Sequence, residues 1–128
     1  MHPPESDMSA LTYNDRARDW GRVLEDRERA RSGLPLNQAR ERVAAKVGAS
    51  PGTLENLRKG RLKKIAAHVY DRMRWLVIAE LQAEVAAHEH EIQTLMAIGA
   101  DPHSDAMEEA QTSLRQIKAV LTREARHA

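Results

Sequence analysis

The sequence contains no cysteine, and this absence excludes several functional classes before any pattern is considered. Without a thiol the chain has no disulfide, no thiolate nucleophile and no cysteine-ligated zinc site. Aromatic residues are also scarce, because phenylalanine is absent and the 128 residues include only two tryptophans and two tyrosines. A core must therefore be built from aliphatic side chains, methionine and alanine, which favours packed helices over sheets.

Long hydrophobic runs are missing as well. No apolar stretch approaches the roughly 18 residues needed to span a bilayer. The polar stretch at residues 1–7 lacks the hydrophobic region of a signal peptide. Together with the lack of cysteine, which suits a reducing compartment, these features predict a cytoplasmic protein with no membrane partner.

The net charge of +1 conceals two halves of opposite sign. Residues 1–74 contain 16 lysines and arginines against 10 acidic residues, whereas residues 75–128 contain 4 against 9. An uneven distribution of this kind is typical of proteins in which the basic part contacts nucleic acid. The basic half is therefore the candidate for DNA contact, and the acidic half is a candidate surface for a protein partner.

Helical spacing and helix-breaking residues divide the basic half. Residues 1–10 show no period and are predicted to be a disordered N-terminus. A head at residues 11–64 is predicted to hold three helices, the first at about residues 12–31 with an apolar stripe that includes Trp20, Val23 and Leu24. The second is expected at about residues 37–47 with Asn37 as its cap. The third follows Ser50 as N-cap, with Pro51 at the first helical position, and reaches about Lys59.

Residues 39–57 have the pattern of two helices that cross closely at a turn. Ala44 is small where the helices approach, Gly48 suits the turn, and four apolar residues point into a shared core: Val43, Val47, Leu54 and Leu57. This set resembles the helix-turn-helix of lambda-repressor and Cro-like regulators. Residues 50–54, Ser-Pro-Gly-Thr-Leu, are also similar to the turn of TetR-type regulators, although the chain is too short for the ligand-binding domain of that family. The resemblance implies double-stranded DNA as partner and residues 50–59 as the recognition helix.

The same resemblance implies that residues early in the recognition helix face base edges in the major groove. Pro51 has no amide hydrogen and Gly52 no side chain, so base contacts are expected from the polar residues around them: Ser50, Thr53, Glu55, Asn56 and Lys59. Residues 57–74 contain seven cations against one anion. The expected phosphate contacts are Arg40, Arg58, Arg61, Lys63 and Lys64, and five such contacts predict a log-log salt slope of about −4 to −5.

Past Leu62, two apolar seams with three-four alternation predict two long helices, separated by Gly99 and a cap at Ser104. The first seam consists of Ile78, Leu81, Val85, His88, Ile92 and Leu95, and the second of Met107, Ala110, Leu114, Ile117 and Leu121. Two seams joined by a short loop predict an antiparallel helical hairpin with coiled-coil packing at residues 65–128. The fold class is therefore all-α, a helix-turn-helix head followed by this hairpin. The expected dimerisation residues are Leu76, Leu81, Val85, His88, Ile92, Leu95, Leu114, Ile117 and Leu121.

Five further apolar residues, Val69, Met73, Leu76, Val77 and Met96, would remain exposed in a monomer, which favours a homodimer. The alternative is that they cover the core of the head itself. A metal site is not expected in the string from His88 to Glu91, because residues two apart on a helix point to different sides. His88 itself occupies a seam position, where a polar residue that fixes register or an ordinary buried histidine is expected.

The expected function is sequence-specific binding of double-stranded DNA by a homodimeric transcriptional regulator, most simply a repressor. One alternative is an accessory or architectural DNA-binding protein of a plasmid or phage. Another is a module that does not bind DNA and uses the acidic hairpin to dock a protein. No enzymatic activity and no cofactor are expected. Paired carboxylates could be formed by Asp15, Asp19, Glu80 and Glu84, but each also suits an exposed helical face, and no nucleophile or glycine-rich phosphate loop accompanies them.

Overall fold

The computed structural model describes residues 5–126, with side chains described from Thr12 to Arg126. This part of the chain contains five α-helices and no strand. In chain order they are α1 (Glu5–Ser32), α2 (Leu36–Val47), α3 (Pro51–Arg58), α4 (Ala67–Ala97) and α5 (Asp105–Arg126). The prediction of an all-α protein is confirmed.

The chain divides into two compact units, Met1–Val77 and Ile78–Ala128. The first unit contains α1, α2, α3 and the start of α4, and the second contains the rest of α4 and α5. The boundary therefore lies inside α4 and not at residue 64, where the sequence predicted the end of the head. The physical reason is that the first turns of α4 contribute buried side chains to the first unit.

The buried face of α1 is central to the first unit, where α1 packs against both α2 and α3. Ala17, Trp20 and Leu24 are all buried on this face, as their three- and four-residue spacing predicts. Val23 was expected to join them, but it is 37% exposed. The face is centred near Gly21 and Leu24, and each residue turns the helix by about 100°, so Val23 points away from it.

The start of α4 packs against the same face of α1. A Cβ atom on Gly21 would lie 3.3 Å from the methyl group of Met73, so the missing side chain permits this close approach. The ring of Tyr70 lies 4.9 Å from that of Trp20 and 4.9 Å from that of Tyr13, the latter in an edge-on arrangement. Three of the four aromatic residues therefore pack together where α1 meets α4.

Val69, Met73 and Val77 on α4 are buried within the single chain, at 3%, 0% and 4% exposure. The expectation that these three residues would be exposed in a monomer is therefore wrong. The alternative, that they cover the core of the head, is correct for them. Leu76 is half-buried, whereas Met96 is 65% exposed. Only part of the apolar surface that favoured a dimer remains accessible.

The predicted disordered N-terminus overlaps α1, which begins at Glu5. No proline or glycine occurs between residues 5 and 20, so nothing in this stretch stops the helix. Residues 1–4 of that predicted segment lie outside the described part of the chain.

The second helix begins earlier than its predicted cap. Pro35 is the N-cap of α2, with an extended backbone, and its carbonyl accepts from the amides of Gln38 and Ala39 at 3.1 and 3.0 Å. Asn37 lies inside the helix and accepts only from the amide of Gln38, at 3.0 Å. Pro35 suits this place because its fixed φ is compatible with an extended cap, so the prediction of Asn37 as cap is wrong.

Residues 59–66 are not helical, and α4 begins only at Ala67. The side chain of Asn14 on α1 holds this segment through three hydrogen bonds. Its Nδ2 donates to the carbonyls of Leu62 and Lys63 at 3.3 and 2.9 Å, and its Oδ1 accepts from the amide of Ile65 at 3.0 Å. These bonds satisfy backbone groups that a helix would otherwise satisfy internally.

In the second unit, burial is concentrated where α4 enters the unit and near the start of α5. Ile78, Leu81, Met107 and Ala110 are buried. The remaining seam positions are half-buried, neither enclosed nor fully exposed: Val85, His88, Ile92, Leu95, Leu114, Ile117 and Leu121. Ser104 caps α5 as predicted, because its Oγ accepts from the amide of Met107 at 3.3 Å.

Candidate nucleic-acid interface

The turn between α2 and α3 depends on glycine. Gly48 has φ 73° and ψ 31°, the left-handed conformation that side chains rarely adopt, and its amide donates to the carbonyl of Ala44. Ser50 then caps α3, with its Oγ accepting from the amide of Thr53 at 3.1 Å, and Pro51 follows at the first helical position. The predicted start of the third helix is confirmed, and its direction relative to α2 is fixed by this turn.

The eight residues of α3 have an apolar side and a polar side. Leu54 and Leu57 are 2% and 3% exposed and hold the helix against α1 and α2. Asn56 is exposed on the other side, and Thr53 is half-buried. The hydroxyl of Thr53 lies 2.9 Å from the Oγ of Ser50, so both hydroxyls take part in the cap. Among the residues predicted to contact bases, Asn56 has an exposed side chain that forms no hydrogen bond within the described chain.

Glu55 and Lys59, also predicted to contact bases, are paired with each other. The Lys59 ammonium donates to the Glu55 carboxylate at 2.8 Å, and this bond together with the charge of Lys59 lowers the pKa of Glu55. Both side chains are about half exposed. Breaking an exposed ion pair between residues one helical turn apart costs little free energy, so either partner remains able to bind a ligand.

Two of the predicted phosphate contacts are instead bound to a buried carboxylate on α1. Glu25 is 1% exposed and accepts from Nε of Arg40 at 2.5 Å and from Nη1 of Arg58 at 3.0 Å. The Arg40 side chain is only 12% exposed, whereas that of Arg58 is 28% exposed and also lies 3.9 Å from Asp26. These arginines join α2 and α3 to α1, a role that was not predicted from the sequence.

A second buried carboxylate lies one turn further along α1. Glu28 is 4% exposed and is surrounded by three cations: Lys46 at 3.1 Å, Arg42 at 3.6 Å and Arg31 at 3.8 Å. The hydrogen bond from Lys46 is the main cause that lowers the pKa of Glu28. The charges of the three cations add to it, while burial acts in the opposite direction. The carboxylate is therefore charged in the folded protein near neutral pH.

Neither glutamate was among the site residues predicted from the sequence, although the positions of both contained a signal. Glu28 follows Leu24 by four residues and Glu25 follows Gly21 by four, so each extends the apolar face of α1. A carboxylate at such a position must be buried with a cation or disturb the packing. Arg31 lies three residues from Glu28 on α1, but the other cations could not be deduced, because they are 14 or more residues away on α2 and α3.

The remaining predicted phosphate contacts, Arg61, Lys63 and Lys64, are exposed and form no ion pair within the described chain. They lie on the segment that Asn14 anchors to α1, directly after α3. Arg18 reinforces the same region, with its Nε donating to the carbonyl of Arg58 at 3.0 Å. The backbone of this basic segment is therefore held in place while its cationic side chains remain available.

Neither a metal site nor a membrane-spanning helix is found among residues 5–126. No group of histidine, aspartate and glutamate there could hold a metal ion, and no helix is long and apolar enough to cross a bilayer. The Nδ1 atom of His88 lies 3.7 Å from the carboxylate of Glu91, an ordinary contact between successive turns of one helix.

Comparison of the chain with protein-family models, with curated proteins and with solved structures gives no match.

Proposed function

We propose that the chain binds double-stranded DNA, with α2, the turn at Gly48 and α3 acting as a helix-turn-helix and α3 lying in the major groove. One observation carries the proposal: a short helix with an exposed polar side is followed directly by cations that have no partner in the described chain. Asn56 is on that exposed side, and Lys63 and Lys64 follow. In a DNA groove, phosphates lie on either side of the base edges. Unpaired cations beside an exposed polar helix could therefore bind phosphates while the helix contacts bases.

The ion pairs of Glu25 alter the number of expected phosphate contacts. Arg40 and Arg58 are bound within the protein, which leaves Arg61, Lys63 and Lys64 of the five cations that the sequence assigned to phosphates. Three contacts give a log-log salt slope of about −2.7, shallower than the −4 to −5 expected from the sequence. The difference is large enough to measure.

We further propose that the protein acts as a homodimeric transcriptional regulator, most simply a repressor, with α4 and α5 as an antiparallel hairpin. The half-buried seam residues, such as Ile92 on α4 and Ile117 on α5, support this because a second copy could cover their remaining apolar area. A two-fold dimer presents two recognition helices to half-sites about 34 Å apart.

The DNA-binding proposal is tested by titrating duplex DNA with the full chain at several salt concentrations, with fluorescence anisotropy as the readout. Replacing Lys63 and Lys64 with alanine should reduce the salt slope by about two units and weaken binding to every sequence. The matched control replaces Arg22 and Arg29, two exposed cations of α1, and should leave the slope unchanged. A wild-type chain without duplex affinity at low salt, or equal slopes for both double variants, would contradict the proposal.

The second candidate function is an accessory or architectural DNA-binding protein, and a specific observation favours it. Pro51 and Gly52 are both exposed at the start of α3, yet neither has a side chain that can form a hydrogen bond with a base. The ratio of specific to non-specific affinity separates the candidates, because a regulator should prefer its own site by about a thousandfold or more. A ratio near one would select the architectural role.

A further inference from the structure

Two side chains of α4 lie against the turn that precedes α3. A Cβ atom on Gly48 would lie 3.1 Å from Nη1 of Arg72 and 3.8 Å from Cδ2 of His68. These residues are four apart on α4, so they share one face of that helix. Because Gly48 has no side chain, the guanidinium can occupy the space immediately beside the turn.

Neither side chain has a partner that explains its position. Arg72 and His68 are both exposed, and neither forms a hydrogen bond or an ion pair within the described chain. Asp71, the neighbouring acidic residue, forms no ion pair with Arg72 either. In contrast, Arg40 and Arg58 are both bound to Glu25. A guanidinium that packs beside a turn but has no anionic partner among the described residues is available for an external anion.

We propose that Arg72 and His68 form a phosphate-binding site beside the turn, which takes a phosphodiester of the DNA backbone next to the point where α3 enters the groove. This inference rests on the proposed DNA binding. The planar guanidinium donates two parallel hydrogen bonds to phosphate oxygens, and the imidazole N–H supplies a third donor in either protonation state. Phosphate contacts of this kind position a protein on the duplex and carry no sequence information.

The site adds a fourth phosphate contact to the three from residues 61–64. The wild-type salt slope is then about −3.6, compared with about −2.7 without it. Replacing Arg72 with glutamine removes the charge but keeps most of the stem that packs beside Gly48. The R72Q variant should bind duplex DNA about tenfold more weakly, by a similar factor on every sequence, with a slope shallower by about one unit.

The experiment compares five full-length proteins in the anisotropy titration: wild type, R72Q, H68A, the Lys63/Lys64 double variant and R22A. H68A should weaken binding less than R72Q does, and R22A, which removes an exposed cation of α1, should match the wild type. Far-UV circular dichroism and the thermal midpoint establish that each variant is folded. H68A keeps the inference testable if R72Q does not fold, since wild-type affinity in H68A would then overturn the paired site.

The results separate this inference from the function on which it rests. If the Lys63/Lys64 variant loses slope and R72Q keeps the wild-type slope, DNA binding stands and the Arg72 site is overturned. If the wild-type chain has no affinity for duplex DNA, both are overturned. A shallower slope for R72Q, with R22A unchanged, supports the site.

Discussion

Glu25 and Glu28 lie on the same buried face of α1 but have different surroundings. Glu25 accepts from arginines of α2 and α3 that are themselves mostly buried, whereas the cations around Glu28 are about half exposed. A buried carboxylate is tolerated only when charge and hydrogen bonds compensate for its lost hydration. Around Glu25 the compensation comes from two arginines that the sequence predicted to contact phosphates, whereas the cations around Glu28 were not among the predicted DNA contacts.

Glu28 should make the folding stability depend on pH at acidic values. Its pKa is lowered below the ordinary value of 4.5, so its charged form stabilises the folded state at neutral pH. The stabilisation by the charged carboxylate is complete above the unfolded-state pKa of about 4.5. It is lost as the pH falls from there through the lower folded-state pKa. The Glu28→Gln variant should therefore be less stable than wild type at pH 7, and the difference should shrink as the pH approaches 3.

The measurement is urea unfolding at a series of pH values, followed by tryptophan fluorescence, because Trp20 is buried and should report the loss of the core. The control is Glu41→Gln on α2, an exposed carboxylate without an ion pair in the described chain. It should leave the pH profile close to that of wild type. Parallel profiles for wild type and Glu28→Gln would contradict the role assigned to Glu28.

Among the helices, the start of α3 could be predicted from the sequence and the start of α4 could not. The Ser50 cap and Pro51 are adjacent, and both act on the backbone of the same turn, so local sequence contains the whole signal. The segment at residues 59–66 stays non-helical with the help of Asn14, which is about 50 residues away. A long-range hydrogen bond of this kind leaves no local pattern.

Asn14 is expected to position the basic segment. Replacing it with alanine removes three hydrogen bonds and leaves the amide of Ile65 without its acceptor. The variant should be less stable by about 1–2 kcal/mol, and the amide of Ile65 should exchange with deuterium faster than in wild type. Hydrogen exchange followed by mass spectrometry or NMR measures the local effect. The Asn37→Ala variant loses only one exposed bond and should change neither quantity; similar exchange in both variants would refute the assignment.

The candidate site was predictable in its apolar part and less so in its charged part. The four apolar positions of α2 and α3, at Val43, Val47, Leu54 and Leu57, are buried as their spacing predicts. The number of cations can be read from the sequence, but not which of them form ion pairs within the protein. That depends on which helix faces a buried carboxylate, and therefore on tertiary packing. Arg40 and Arg58 were therefore assigned to phosphates, and Arg72 was not assigned to the turn.

At the scale of the whole molecule, the apolar surface of the second unit leads to a prediction about the oligomeric state. Seven of the seam residues of the second unit, among them Ile92 and Ile117, are half-buried in a single chain, and Met96 and Ile98 are more exposed still. If the seams pair with a second copy, the protein should sediment at twice its mass of 14.4 kDa. Replacing Ile92 and Ile117 with asparagine should yield a monomer whose first unit remains folded.

Sedimentation velocity over a range of protein concentrations measures the mass, and tryptophan fluorescence, to which the buried Trp20 contributes, reports whether the first unit is intact. The control is Ile98→Asn, which changes an exposed apolar residue outside the two seams. It should leave the dimer unchanged. A wild-type protein that remains monomeric at high concentration would contradict the dimer and leave the DNA-binding proposal to be judged on a single head.

The sharing of Glu25 by two arginines also has an evolutionary consequence. Because Arg40 and Arg58 lie on different helices and meet at one buried carboxylate, loss of Glu25 leaves both arginines without their shared counterion, whereas loss of either arginine still leaves a one-to-one ion pair. Selection should therefore act most strongly on Glu25. Homologous chains that lack the acidic residue should also have replaced the two arginines by uncharged residues, and lineages that lose the acidic residue but retain both arginines should be rare.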